Sequence, residues 1–272
     1  MQAFRRNLAS GLTPEGWLAI EGPILFAEAL RVGGYVAPAG SPQGRRGGLR
    51  IISVMATARE AERFAGALTR LRKDAEVILV AERLFQRLSQ TETPRGIAAL
   101  VELPERSFDA IVGRPAALVV VACGLQDPGN LGTLVRSAQA LGAAALVTLR
   151  GTVSPFNPKA MRSSAGAVLE LPLFTGLEPQ SLLQRLGALG LRVLAADPRG
   201  SVPLPQADLR GALAVLIGQE AAGLEEDLAR QAEARVAISI RRESDSLNAA
   251  TAASIFLYEA ARQRGFRFDE PV

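Results

Sequence analysis

Apolar positions along the 272-residue chain follow two spacings, continuous short runs and stripes that recur every three to four residues. Runs of this length are typical of buried strands, and stripes are typical of amphipathic helices. In the first hundred residues the pattern predicts strands at 49–55, 77–80 and 97–103 and helices at 22–32, 58–72 and 82–89. This alternation indicates a small α/β domain with a modest parallel or mixed sheet.

The remainder of the chain alternates more regularly. Strands are predicted at 117–123, 144–149, 168–174, 191–196, 212–217 and 235–240, and helices at 130–141, 158–165, 179–189, 224–232 and 247–264. Strands that alternate with helices predict right-handed crossovers and a largely parallel sheet. Residues 105–116 break the pattern, so we expect domains at 1–104 and 117–272 joined by a linker at 105–116.

Three loops at the carboxyl ends of predicted strands hold the densest polar and glycine clusters, and this is where parallel sheets bind ligands. The first loop leads into a helix with Asn130 as the expected N-cap and Gly142 just past its end. Arg136 lies about 140° from the apolar stripe of this helix, so we expect its side chain on the solvent side. An ordinary cap and an ordinary solvated arginine are the alternatives to functional roles for Asn130 and Arg136.

The second loop places Gly218, Glu220 and Gly223 between a buried strand and a helix. Glycine lets the backbone approach a ligand closely, and Glu220 is either a functional carboxylate or an ordinary acid near a helix start. In the third loop, Ser246 is either a functional hydroxyl or the N-cap of the last helix. That helix is rich in alanine, which permits close packing in the core or across a dimer interface.

Histidine is absent from the sequence, and Cys123 is the single cysteine. Histidine-dependent catalytic devices, disulfides within the chain and paired-cysteine metal sites are therefore excluded. No acidic constellation indicates a metal. The glycine fingerprints of Rossmann and P-loop nucleotide sites are also absent, which argues against a nucleotide enzyme of the Rossmann type.

The formal net charge of +4 belongs to the N-terminal part, because residues 1–116 hold 16 basic and 12 acidic residues and the rest hold 15 of each. All basic residues except Lys73 and Lys159 are arginines, which suit bidentate phosphate contacts. Arg45 and Arg46 lie in a loop at 33–48 that is rich in glycine and proline. This loop is either an ordinary surface loop or one that contacts RNA.

No apolar run is long enough to cross a bilayer, and the pattern of a secretory signal is missing. With one thiol, the sequence predicts a protein of the reducing cytoplasm without a membrane partner. The basic opening segment, which lacks acidic residues, leaves an organellar transit peptide as an alternative.

Taken together and in this order, the three loops resemble the three signature motifs of the SpoU (TrmH-type) RNA ribose methyltransferases of the SPOUT superfamily. Asn130 to Gly142 is similar to motif 1, residues 218–224 (GQEAAGL) to motif 2 and residues 238–248 to motif 3. Residues 157–166 (NPKAMRSSAG) also look like a stretch typical of these enzymes. The N-terminal part, through its segments 20–23 (IEGP) and 91–96 (TETPRG), is similar to the family's substrate-binding domain, which resembles ribosomal protein L30e.

The resemblance implies a small L30e-like α/β domain followed by a SPOUT α/β domain with a deep trefoil knot. It also implies a homodimer through the C-terminal domain and S-adenosylmethionine as cofactor, with no metal. The residues carried over are Asn130, Arg136, Glu220, Ser246 and Asn248 as catalytic positions, and Gly218, Ile238 and Leu247 as cofactor positions.

The implied activity is methyl transfer to a ribose 2′-hydroxyl of RNA, with 23S-type rRNA favoured over tRNA. A tRNA 2′-O-methyltransferase of the same family is one alternative. A non-catalytic RNA-binding or ribosome-assembly protein with this fold is another, although the presence of all five catalytic-type residues argues against it.

Overall fold

The computed structural model describes residue 12 and residues 16–35, 48–71, 75–89, 91–220, 222–241 and 246–268. It divides into two compact units. The first unit comprises residues 1–105 and 156–170, and the second comprises residues 106–155 and 171–272.

A four-stranded mixed sheet forms the centre of the first unit. Its strands are β1 (Leu18–Glu21), β2 (Arg50–Ala56), β3 (Glu76–Leu79) and β4 (Ile97–Glu102), in the order β1-β4-β2-β3. The β1–β4 and β4–β2 pairs are antiparallel and the β2–β3 pair is parallel. The helices are α1 (Pro23–Val32), α2 (Ala58–Arg63), α3 (Ala65–Leu71), α4 (Glu82–Leu88) and, in the later segment, α7 (Pro158–Ser163). Met55, Phe85 and Leu100 belong to the core beneath this sheet.

The second unit is built on a seven-stranded sheet in which every described pair is parallel. Its strands are β5 (Leu118–Ala122), β6 (Ala145–Leu149), β7 (Leu173–Leu177), β8 (Arg192–Ala196), β9 (Val202–Pro203), β10 (Leu213–Ile217) and β11 (Ala234–Ala237). Their order is β7-β6-β5-β10-β8-β11-β9. The helices are α5 (Phe108–Val112), α6 (Pro128–Ala140), α8 (Pro179–Ala188), α9 (Glu226–Arg230) and α10 (Ala249–Gln263). β5, β6 and β10 are buried along their whole length, as their continuous apolar runs predict.

The strand predicted at 168–174 is wrong in its first half. Residues Ala167–Leu169 form a short 3-10 turn after Gly166, and β7 begins only at Leu173. Gly166 has a φ of 97°, which leaves the strand conformation, and Pro172 lacks the N–H that a ladder needs. The apolar residues of this segment are buried in the turn. An apolar run alone does not distinguish a buried turn from a buried strand.

Other differences concern short elements. The helix predicted at 58–72 is two helices, interrupted at Phe64, and the strand predicted at 235–240 ends at Ala237. β1 and β9 were not predicted. The segment predicted as a linker, 105–116, contains α5, whose Phe108, Ile111 and Val112 are buried in the core of the second unit.

Within the described ranges, no helix is both long enough and apolar enough to cross a membrane.

Candidate functional site

The carboxyl edge of the large sheet brings the starts of the three predicted loops side by side. Ile217 of β10 is in register with Ala122 of β5 and with Ala196 of β8, and Ala196 is in register with Val236 of β11. The residues that follow these four therefore form a row at the same edge, which we call the edge row. Its members are Cys123, Gly218, Asp197 and Ala237. Gly218 lies inside this row, between Cys123 and Asp197, and is buried.

The first loop ends in α6, and Asp127 rather than Asn130 is its N-cap. The carboxylate of Asp127 accepts the N–H of Gly129 at 2.9 Å, and Pro128 occupies the first helical position. The prediction of Asn130 as the cap is therefore wrong. Asn130 lies inside the first turn, where its side chain is not needed to cap the helix. An aspartate directly before a proline is the sequence signal that identifies this helix start.

The predicted faces of α6 are confirmed. Leu131, Leu134, Val135 and Ala138 are buried, and Arg136 is exposed. Gly142 follows the helix end with a φ of 76°, as expected of a residue just past the C-cap.

The second loop folds back on itself around Glu220. The N–H of Gln219 donates to the carbonyl of Gly223 at 3.0 Å, and the N–H of Gly223 donates to the carbonyl of Gln219 at 3.1 Å. A Cβ at Gly218 would lie 2.3 Å from the carbonyl carbon of Gly223, so only glycine allows this turn. A Cβ at Gly124 would lie 2.8 Å from Nε2 of Gln219, so the first and second loops are in direct contact.

The third loop ends in α10, whose N-cap is Asn248 and not Ser246. Oδ1 of Asn248 accepts the N–H groups of Ala250 at 3.0 Å and Thr251 at 3.2 Å. The alternative that made Ser246 the cap is therefore wrong.

Side chains from all three loops form one hydrogen-bonded series, which we call the amide–carboxylate chain. Nδ2 of Asn248 donates to Oδ1 of Asn130 at 2.9 Å, and Nδ2 of Asn130 donates to Oε1 of Glu220 at 2.6 Å. The orientation of each amide follows from its neighbours: because Oδ1 of Asn248 is held by the helix N–H groups, its NH₂ group faces Asn130, and the NH₂ group of Asn130 then faces Glu220. The chain thus joins residues 118 positions apart in sequence into one directional arrangement.

Two of the predicted catalytic residues lie outside the amide–carboxylate chain. Arg136 follows Asn130 by six positions, which places it about 120° around the helix. Its side chain is exposed and makes no hydrogen bond or ion pair with the described part of the chain. Ser246 is exposed and likewise makes no hydrogen bond to the residues that the structure describes.

The predicted cofactor positions provide backbone groups and apolar surface rather than charge. Gly218 is buried at the sheet edge, and Ile238 and Leu247 are half-buried in the loop that follows β11. A Cβ at Gly223 would have no neighbouring atom within 4 Å. This combination suits a nucleoside, whose flat base needs apolar contacts and a few backbone hydrogen bonds. The described residues contain no group of three or more carboxylate or thiol side chains that could hold a metal.

Cys123 lies in the edge row but is not a nucleophile. Its thiol is buried, and loss of hydration raises its pKa to about 12. The thiol therefore stays protonated near neutral pH and is chemically unreactive there.

Residues that support the first loop were missed by the sequence pattern. The hydroxyl of Thr152 donates to the carbonyl of Ala122 at 3.0 Å and accepts the N–H of Gly124 at 2.9 Å. Gln126 donates to the carbonyls of Gly124 at 2.9 Å and Gly151 at 2.6 Å. These contacts link separate segments of the chain, and no local sequence signal indicates them.

Comparison with known proteins identifies relatives of the C-terminal part of the chain and of nearly the whole chain. Residues 117–258 match the SpoU rRNA Methylase family. The 23S rRNA (guanosine(2553)-2′-O)-methyltransferase RlmP of Bacillus subtilis is 31% identical over 70% of this chain and 76% of the relative. The 23S rRNA (uridine(2479)-2′-O)-methyltransferase of Streptomyces viridochromogenes is 31% identical over 76% of this chain and 74% of the relative.

Solved structures show the same architecture. The SpoU methyltransferase AviRb from Streptomyces viridochromogenes, in complex with AdoMet, has a TM-score of 0.80 and 27% identity and covers 96% of this chain and 97% of its own. The AdoMet-bound rRNA methyltransferase from Sinorhizobium meliloti has a TM-score of 0.77 and 25% identity, with 95% of this chain and 94% of its own covered.

Proposed function

Since the chain belongs to the SpoU rRNA methylase family, we propose that it transfers a methyl group from S-adenosylmethionine to a ribose 2′-hydroxyl of 23S rRNA. The structural observation that supports this most directly is the amide–carboxylate chain, because it joins the three signature loops at the edge where parallel sheets bind ligands. The two relatives named above act on a guanosine and a uridine, so the proposal extends to the ribose and not to the base.

The cofactor positions we propose are Gly218, Ile238 and Leu247, with backbone groups at the sheet edge and apolar side chains beside them. S-adenosylmethionine, when bound, supplies a methyl group that the sulfonium has already activated. The protein has to align the 2′-oxygen with that methyl group and allow one proton to leave. Alignment alone can supply about 7–11 kcal/mol at its best.

Arg136 is the residue we propose to act on the reacting oxygen. A guanidinium stays protonated near neutral pH, so it is a poor general base. Its role is to stabilise the negative charge that develops on the 2′-oxygen and to bind the neighbouring phosphate, while the proton passes to water or phosphate. The exposure of Arg136 leaves its guanidinium accessible to RNA.

The amide–carboxylate chain has a positioning role in this proposal. Glu220 accepts a hydrogen bond from Asn130, not from Arg136, so it fixes the orientation of the amide. Asn248 fixes the same amide from the other side. Ser246 is exposed two residues before Asn248 and is proposed to contact ribose or cofactor.

Replacement of Arg136 by alanine tests the catalytic proposal. Loss of a group that stabilises developing charge should lower the rate of methyl transfer by about a hundredfold or more. Transfer of radiolabelled methyl groups to rRNA measures the rate, and titration calorimetry with S-adenosylmethionine shows that the cofactor still binds. A rate near that of the wild type would eliminate this role, and a loss of cofactor binding would indicate a structural one.

Mapping 2′-O-methylation in rRNA and tRNA from cells with and without the protein distinguishes rRNA from tRNA as substrate.

The trefoil knot is part of the proposal for the second unit. It is supported by the sheet order, in which β10 and β11 insert between strands that precede them in the chain. The homodimer through the C-terminal domain is supported by three exposed rings near the end of α10, those of Tyr258, Phe266 and Phe268. The molar mass in solution tests the dimer. The domain boundaries at 104 and 117 and the cytoplasmic location stay predictions.

A further inference from the structure

A buried carboxylate that the proposed mechanism does not use lies in the edge row of the large sheet. Asp197 directly follows β8 and is only 7% exposed. By register it lies between Gly218 on one side and Ala237 on the other. It is therefore adjacent to two of the strands whose ends provide the proposed cofactor positions.

Both oxygens of this carboxylate have cationic or N–H partners. Oδ1 accepts the backbone N–H of Arg199 at 2.8 Å, and its distance to Nε of the same residue is 3.5 Å. Oδ2 lies 3.6 Å from Nη1 of Arg235, whose side chain is only 28% exposed. The guanidinium of Arg235 also donates to both oxygens of Glu226, at 3.0 and 2.7 Å. We call Asp197, Arg199, Arg235 and Glu226 the Asp197 network.

The Asp197 network holds three elements together where the chain crosses itself closely. The N–H of Asp197 donates to the carbonyl of Val236 at 3.1 Å. A Cβ at Gly200 would lie 2.5 Å from the carbonyl oxygen of Arg235, so the loop after β8 lies directly against β11. Glu226 lies in the first turn of α9, which follows the second signature loop. The loop after β8, the end of β11 and the start of α9 are thus tied by one set of charges.

We propose that Asp197 is a positioning residue for the cofactor, holding the end of β11 so that Ile238 presents its backbone groups at the sheet edge. This inference rests on the proposed function, since it assumes that S-adenosylmethionine binds there. Asp197 does not touch the cofactor in this proposal, because its carboxylate is buried and engaged by Arg199 and Arg235. It acts through β11.

The substitution Asp197→Asn tests the proposal with little change in shape. The asparagine keeps an oxygen to accept the N–H of Arg199, but it places an NH₂ group opposite the guanidinium of Arg235. A buried charge pair that loses one partner is costly, whereas an exposed pair contributes little. We expect the Kd for S-adenosylmethionine to rise about tenfold, while the methyl-transfer rate at saturating cofactor stays within about twofold of the wild type.

Asp208→Asn is the matched control. Asp208 also pairs with an arginine, Arg210 at 2.8 Å, but it is exposed and precedes β10, at the opposite edge of the sheet. This variant should bind the cofactor like the wild type. Arg235→Gln provides a second route if Asp197→Asn does not fold, and it should raise the Kd to a similar extent. The double variant should be no worse than Arg235→Gln alone, because that variant has already lost the contact between Arg235 and Asp197.

Three outcomes decide the proposal. A raised Kd at full binding stoichiometry, with the rate at saturation retained, supports it. A lowered melting temperature with an unchanged Kd well below that temperature would show a purely structural role and overturn it. If the folded wild-type protein does not bind S-adenosylmethionine at all, the proposed function itself fails, which is a different result from equal binding by wild type and variant.

Discussion

Single hydrogen-bonding groups decide the geometry of the amide–carboxylate chain. The substitution Asn248→Asp should keep the cap of α10, because aspartate caps helices as well as asparagine does. It removes the NH₂ group that donates to Oδ1 of Asn130, so the amide of Asn130 loses one of the two contacts that orient it. We expect methyl transfer to fall about tenfold, which corresponds to the loss of roughly one hydrogen bond, with a nearly unchanged melting temperature.

Asn248→Ala is the comparison for that variant. Alanine removes the cap as well as the contact with Asn130, so the stability of the protein should also fall, by about 1 kcal/mol. Melting temperature and turnover, measured on both variants, separate the two effects. Turnover by Asn248→Asp equal to that of the wild type would show that the orientation of Asn130 is unimportant.

Sequence patterns identified which residues could act, but not which of them meet. The exposure of Arg136 follows from helical periodicity, because a residue on the side of the helix opposite the apolar stripe has to face solvent. The contact of Asn130 with Glu220 joins positions 90 residues apart, and only the resemblance to a known family brought them together in advance. The wrong cap at Asn130 had a local cause, because Asp127 and Pro128 specify the helix start three residues earlier.

At the scale of elements, α9 and β11 are joined by an ion pair whose strength depends on pH. The guanidinium of Arg235, with a further contribution from Arg230, lowers the pKa of Glu226 from 4.5 to about 2. A carboxylate whose pKa is lower in the folded state stabilises the fold above its unfolded pKa, and this contribution is lost as the pH falls towards the folded value. The wild type should therefore lose stability between about pH 4.5 and pH 2 partly through this group.

Glu226→Gln should weaken that pH dependence, because glutamine has no proton to gain. Urea midpoints measured across this pH range for both proteins provide the comparison. Because Glu226 is exposed at the surface, salt at about 1 M should shrink the difference. Identical pH profiles for the two proteins at low salt would show that the ion pair with Arg235 does not stabilise the fold.

Long apolar runs predicted the elements well, and short elements were missed. β5, β6, β8 and β10 begin and end within about one residue of their predicted bounds, and three of them, β5, β6 and β10, are buried along their whole length. β9 has two residues and α5 has five, which is less than the window in which a periodicity can be recognised. Burial alone could not distinguish the turn at Ala167–Leu169 from a strand.

At the scale of the whole molecule, the order of strands could not be predicted from the sequence. Alternating strands and helices predict a parallel sheet, and the sheet is parallel. They do not predict that β10 pairs with β5 and β8, with Leu213 in register with Leu118.

The two units are not two consecutive segments of the chain, as the predicted domain boundaries assume. Residues 156–170 cluster with the first unit, where Glu170 pairs with Arg31 of α1 at 2.6 Å.

The distribution of charge gives the last prediction. The excess of +4 lies in residues 1–116, and Arg45 and Arg46 belong to a segment outside the described residues. If these two arginines contact phosphates, the substitutions Arg45→Gln and Arg46→Gln together should weaken RNA binding and reduce the slope of log K against log salt by about 1.4 to 1.8. This double substitution leaves the contacts of residues 156–170 in place. Deletion of residues 1–104 would instead remove Arg31, which is the ion-pair partner of Glu170.

A control for the lost charge comes from two arginines of the second unit. Arg210 and Arg230 are held by the carboxylates of Asp208 and Glu226, so their replacement by glutamine removes the same formal charge without removing a free phosphate-binding group. Since released counterions, and not net charge, determine the salt slope, this control should keep the slope of the wild type. Binding of rRNA fragments at several salt concentrations measures both variants. If the two pairs of substitutions change the slope equally, the N-terminal arginines act only through net charge, and the proposed grip on RNA by residues 45 and 46 is wrong.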